Sequence, residues 1–265
     1  MTESERSGQR AGGGFLEKLA INIREESCTV IAFTGGGGKT DLIFRLTDEL
    51  TAAGKKVIVT TTTHMAAEPG HPFVENGNIR KVRENLDKHG YTLAACVDKE
   101  SRKLCSLPED SLKSLREHCD VLLIEADGSK RLPLKVPESW EPVIPACTDI
   151  VVGVEGLDSL GKTIGETAHR AERTAEFLGK TPGDTIAAED LIKIASSEEG
   201  LRKGVANRQY RVYLNKIDVL SDPEIAEKIC TELKKRGIAA SCGSLRQPVQ
   251  KPENERRAKV HEKQV

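Results

Sequence analysis

Two hydrophobic patterns alternate along this chain. Apolar and β-branched runs, two of them opened by a basic residue, occupy Thr29–Phe33, Lys56–Thr63, Tyr91–Val97, Val121–Ile124, Ile150–Val154 and Arg211–Leu214. Such runs lack the polar alternation of a half-wet sheet and predict strands covered on both faces. Between them, apolar residues recur every three or four positions. That spacing predicts helices over Phe15–Ile23, from Asp41 to Gly54, over Ile79–Lys88, Pro108–His118, Thr167–Leu178 and Ala188–Ser196, and from the Ser221-Asp222-Pro223-Glu224 start to Gly237. Thr185 precedes or caps the sixth of these, and His169 and Arg170 fall near the start of the fifth, as an exposed pair. Residues 66–78 read as loop, Asp98–Leu107 as a small hairpin or loop, and Ile238–Ala240 as a short last strand.

Strand and helix in turn predict an α/β fold, a mostly parallel central sheet flanked by helices on both faces; the four glycines Gly35–Gly38 followed by Lys39-Thr40 between the first strand and a helix make it a P-loop NTPase-like three-layer sandwich. The organisation read from the chain is a disordered N-terminus over 1–13, one nucleotide-binding domain over 14–245 with an irregular insertion around 130–147, and a polar, disordered tail over 246–265. Aromatic residues make up 3% of the 265, so Val, Ile, Leu and Ala must build the core. A net charge of −1 supplies no general attraction for nucleic acid. No apolar run is long enough to span a membrane, and no signal-peptide core opens the chain, so a cytoplasmic setting is expected. The seven cysteines include no C-x-x-C pair, which argues against a disulfide framework or zinc ribbon.

The organising stretch is Thr34-Gly35-Gly36-Gly37-Gly38-Lys39-Thr40, set between the first strand and the first long helix. Glycines let successive N–H groups turn toward an anion, and the helix adds its positive end. Lys39 would neutralise phosphate oxygens and Thr40 would offer its hydroxyl to Mg²⁺. Counting back from Gly38 puts Phe33 where G-x-x-x-x-G-K-[ST] has its first glycine, so the loop is a shortened variant. Thr62, Thr63 and His64 end the second strand and would face the same crevice. The Val121–Ile124 strand delivers Glu125, placed to hold Mg²⁺ through its water shell or to orient water, and Asp127 could share the task.

Leu132–Pro145 carries four prolines and Trp140, the single tryptophan, and predicts an irregular excursion that covers a site. Lys130, Arg131 and Lys135 would there meet an acidic ligand or remain solvated. The last inner strand delivers Asn215-Lys216-Ile217-Asp218, an N-K-x-D spacing that suits guanine: Asp218 accepts from the base, while Asn215 and the Lys216 stem shape the slot. GTP is thereby favoured over ATP, with Ser241-Cys242-Gly243 near the base. The whole reading needs Lys39 and Glu125 on one sheet edge and a Gly35–Gly38 hollow free of the protein's own side chains.

These motifs together resemble the selenium-dependent molybdenum hydroxylase accessory protein family known as YqeC, across most of residues 27–245. The resemblance rests on Thr34–Thr40, Val59–Met65, Glu141-Pro142-Val143-Ile144-Pro145, His169-Arg170, Leu214–Asp218 and above all Glu125-Ala126-Asp127-Gly128-Ser129-Lys130-Arg131-Leu132-Pro133-Leu134-Lys135. Neither a phosphate loop nor a buried strand requires the later residues of that last run. After Lys-Thr, where members often carry a second threonine, this chain has Asp41. The resemblance implies an accessory protein, a slow Mg-dependent GTPase or NTPase, acting in maturation of a molybdenum hydroxylase. A more distant similarity is to nucleotide-dependent metallochaperones for nickel and cobalt enzymes, with Glu125, Gly128, Asn215, Lys216 and Asp218 in the matching places. An ATP-dependent ligase or transferase using an acyl phosphate, and a non-hydrolysing nucleotide-regulated scaffold, are the alternatives.

Overall fold

The computed structural model describes residues 14–66 and 69–246, so the expected disordered ends at 1–13 and from 247 lie outside the described residues. In chain order the elements are α1 (Phe15–Lys18), β1 (Thr29–Gly35), α2 (Lys39–Ala52), β2 (Val57–Thr61), β3 (Phe73–Glu75), α3 (Ile79–His89), β4 (Tyr91–Val97), β5 (Leu104–Cys105), α4 (Glu109–Arg116) and β6 (Val121–Glu125). There follow β7 (Leu134–Lys135), β8 (Ile150–Gly156), α5 (Ile164–Thr167), β9 (Ala168–His169), α6 (Ala171–Leu178), α7 (Ala188–Ser196), β10 (Gln209–Asn215), α8 (Glu224–Lys235) and β11 (Ala239–Gly243).

Eight strands form a parallel sheet in the order β11-β10-β8-β1-β6-β2-β4-β3, and β5 adds an antiparallel hairpin partner to β4. β1 lies at the centre, with β6 on one side and β8 on the other. The strands' apolar runs now have their cause, because both faces are covered. Ile31 and Phe33 of β1 point into a cluster with Phe15, Leu42, Ile43 and Leu46 of α1 and α2. Val30 and Ala32 point the other way, to Val82, Leu86, Leu112 and Leu115 of α3 and α4. Under β8 and β10 that second layer continues through Leu191, Ile194, Ile229 and Leu233 of α7 and α8. The result is the expected three-layer α/β sandwich, a mostly parallel sheet with helices on both faces.

Two departures from expectation are local. The stretch 66–78 contains β3, whose three residues are too few to show a period. His169 and Arg170 are not on a helix: His169 ends β9, paired in parallel with β7, and Arg170 takes a left-handed φ of 62° before α6 begins. The pair is also not surface, since His169 is buried and Arg170 is tied to Glu141.

Candidate functional site

Parallel pairing sends every inner strand out at the same sheet edge. Phe33 lies opposite Glu125, Thr61 opposite Glu125 on the far side, and Gly35 opposite Val154. The glycine stretch, Glu125 and the β8 end therefore meet by topology alone, at the edge where open α/β sheets bind ligands. The first condition of the sequence reading is met: the Thr40 hydroxyl, in the first turn of α2, donates to Glu125 Oε2 at 2.6 Å. A hydroxyl and a carboxylate in contact at a helix N-terminus are hard oxygen donors suited to Mg²⁺.

The second condition is not met. Lys39 is buried and turns back, donating from Nζ to the Gly35 carbonyl at 2.6 Å, with Asp127 Oδ1 at 3.1 Å. Asp127 Oδ2 accepts from the Gly35 N–H at 3.0 Å. The Asp127 carboxylate thus sits against the glycine stretch, where a free hollow is expected. The backbone closes it further: the Gly36 N–H donates to Val154 O, and the Gly37 N–H to Leu132 O at 3.1 Å. Gly36 must be glycine for this approach, because a Cβ there would lie 2.6 Å from the Leu132 carbonyl oxygen. Gly38 caps α2 at φ 115°, a conformation that side chains resist.

The excursion after β6 is the lid of this arrangement. Pro133 O accepts from Gly156 N, Val143 N donates to Ala126 O, and Thr62 Oγ1 donates to Val143 O at 2.7 Å, so both ends are pinned to the sheet edge. Lys130 and Arg131 are exposed, in consecutive left-handed conformations. Lys135 is neither solvated nor open to a ligand. Its side chain is fully buried, donating to Gly128 O at 2.6 Å and lying 3.4 Å from Asp127 and 2.9 Å from Glu141. Glu141 in turn receives both terminal nitrogens of Arg170, at 2.6 and 3.3 Å. Burial raises the Glu141 pKa, but Arg170 and Lys135 outweigh it and hold the carboxyl below its ordinary value. Burial, with Arg170 and Lys135 nearby, pushes His169 down, toward its neutral form.

The N-K-x-D residues divide. Asn215 is buried and braces the glycine stretch, donating to Gly37 O at 2.7 Å while its Oδ1 accepts from the Lys216 and Leu245 N–H groups. Lys216 pairs with Asp158 at 2.7 Å, and Asp218 stands exposed in a short turn. Thr61 and Thr62 bond the Glu125 carbonyl, but His64 faces Asp98 at 3.5 Å, away from the glycine stretch. Sequence reasoning named Glu141 and Arg170 only as motif positions and missed their pairing, and it missed the Asp158 partner of Lys216; these contacts are set by tertiary path. It also missed Glu155, buried at the end of β8 with neither carboxylate oxygen hydrogen-bonded, where burial raises its pKa well above the ordinary value.

A family model described as YqeC protein matches residues 31–172, the span that holds the glycine stretch, the acid-ended strand, the excursion and Arg170. The chain belongs to the YqeC family. A relative in Escherichia coli strain K12, called uncharacterized protein YqeC, is 32% identical over 219 residues, covering 80% of this chain and 85% of that one. The span matched by the YqeC family includes the motifs that a phosphate loop does not demand. Pro133 and Lys135 belong to the lid and its buried ion pairs, and the Glu141-Pro142 and His169-Arg170 pairs supply their far end.

Among solved structures, this YqeC-family chain is similar to FtsY from Mycoplasma mycoides, at a TM-score of 0.42 and 15% identity, covering 86% of this chain and 63% of that one. The MinC:MinD cell division protein complex of Aquifex aeolicus gives 0.38 and 16%, covering 80% and 79%. An apo GTPase from Pyrococcus abyssi gives 0.36 and 13%, covering 89% and 96%. Likenesses at these scores carry no weight for function. No helix among the described residues is long and apolar enough to cross a membrane.

Proposed function

We propose that this protein binds a Mg²⁺–nucleoside triphosphate at the carboxyl edge of its sheet and hydrolyses it slowly, as an accessory factor in maturation of a selenium-dependent molybdenum hydroxylase in the cytoplasm. The observation that carries the proposal is the contact of the Thr40 hydroxyl with Glu125 at the start of a 14-residue helix whose first residue, Lys39, pairs with Asp127. Lys39 and the α2 amides would take phosphate charge, the glycines Gly35–Gly38 would line its path, and Thr40 with Glu125 would hold Mg²⁺. The bound metal would supply charge neutralisation on the phosphate oxygens. Glu125 and Asp127 are the acids available to place water. The base slot rests on the N-K-x-D spacing and on the exposed Asp218, which is open to accept from guanine, while Asn215 braces the Gly37 carbonyl and Lys216 pairs with Asp158. The hydroxylase partner is what the resemblance of residues 27–245 to that accessory family implies.

A nucleotide panel tests this reading. The expected result is one saturable Mg-dependent site, with GTP preferred over ATP and the preference erased by Asp218→Ala. Equal affinities that Asp218→Ala does not change would remove the base assignment; turnover with an acyl acceptor would favour the ligase alternative. Loss of all hydrolysis with binding intact would favour the scaffold.

A further inference from the structure

We propose that Asp127 is an internal stand-in for phosphate, and that a bound nucleotide displaces it and so repositions the Trp140 segment through Lys135 and Glu141. This rests on the nucleotide reading above and names how that site is regulated.

Three observations carry it. Asp127 occupies the two groups that a phosphate loop offers to phosphate first: the Lys39 ammonium and a glycine N–H. Its hold on Lys39 is not optimal, because Asp127 Oδ1 lies 3.1 Å from Nζ yet makes no hydrogen bond, although it is buried. That oxygen is held by charge alone, and only Oδ2 is fixed by a hydrogen bond, so half of the carboxylate is poorly satisfied where it sits. Finally, Asp127 is shared. Lys135, fully buried, bridges it to Glu141, and Glu141 is fastened to Arg170, whose guanidinium lies 5.9 Å from the Trp140 ring centre.

A triphosphate cannot pair with Lys39 while Asp127 and the Leu132 carbonyl fill the approach. When phosphate takes Lys39, Asp127 loses a cation and leans on Lys135, and the Lys135–Glu141 pair must readjust. Glu141 directly follows Trp140, so the readjustment reaches an indole that is 68% exposed. The same movement lifts Leu132 and Pro133 from Gly36 and Gly37. The lid is closed while Asp127 holds Lys39 and the Leu132 carbonyl holds the Gly37 N–H.

Trp140 is the only tryptophan, so its emission reports this segment alone. Nucleotide binding is measured by calorimetry with Mg-GTP and Mg-ATP, and tryptophan emission is followed over the same titration. The expected result is an emission change that saturates with binding. Glu141→Gln should bind nucleotide within about twofold of the parent and lose that change. Asp127→Asn should bind about tenfold tighter, since a charge-assisted competitor is gone. Binding with flat emission in the parent chain overturns the relay and leaves the nucleotide reading standing. Weaker binding by Asp127→Asn overturns the stand-in role and makes Asp127 a ligand-holding group. Absence of binding overturns the nucleotide reading and the relay together.

Discussion

Replacing Lys39 by methionine tests the site without any ligand. The change keeps most of the apolar stem and deletes the ammonium, which leaves Asp127, with its side chain 1% exposed, one cation short. Removing one partner of a buried pair costs about 3–5 kcal/mol when the remaining charge is stranded. Asp127 is not stranded, because Lys135 at 3.4 Å and the Gly35 N–H at 3.0 Å remain. The expected loss is therefore about half of that, ~2 kcal/mol, or about 4–8 °C in melting temperature for a chain of this size. Asp127→Asn in the same background removes the charge that suffers, so the double variant should regain ~1 kcal/mol of that loss. Urea unfolding of the parent, the two single variants and the double variant closes the cycle. Equal stability of Lys39→Met and parent, or strict additivity of the two changes, would refute the claim that Lys39 and Asp127 form a working buried pair.

Further outcomes follow from other parts of the structure. Glu125→Gln should weaken Mg²⁺-dependent nucleotide binding by about 10- to 100-fold, as loss of an outer-shell metal partner does, and leave metal-free binding unchanged; calorimetry with and without Mg²⁺ separates the two. Glu155 is held protonated in the fold, so the folded chain binds more protons than the unfolded one once pH exceeds the ordinary glutamate range, and stability falls as pH rises from there. Glu155→Gln should remove that slope, seen as a higher melting temperature than the parent at pH 8 and no gain at pH 4. Glu141 has the opposite sign: its contact with Arg170 is present above the ordinary glutamate value, about 4.3, and is lost only as pH falls below it. Acid titration of Trp140 emission should place the transition below that value.

What could be read from the chain divides by range of interaction. The inner strands were legible because burial on two faces leaves an uninterrupted apolar run, as in Val121–Ile124, and α7 emerged as Ala188–Ser196 from its spacing alone. Lys39, Thr40 and Glu125 were legible as a group because parallel pairing makes one edge from all strand ends. The Lys135–Glu141–Arg170 chain was not legible as contacts, since nothing in local spacing reports which charge an irregular, proline-rich segment folds against. Its residues were visible only as motif positions that neither strand nor phosphate loop required. His169 and Arg170 were misplaced onto α6 because the helical period continues through them, while the pairing of β7 with β9 and the positive φ of Arg170 delay the helix to Ala171. Asn215 was read as facing a base, yet its amide is spent on the Gly37 carbonyl, so its first task in the fold is to hold the loop.

The most direct measurement of the central claim is calorimetric titration of the purified chain with Mg-GTP, beside Lys39→Ala. The account predicts one saturable site in the parent and none in the variant. Heat that is absent from both, or the same in both, would contradict it.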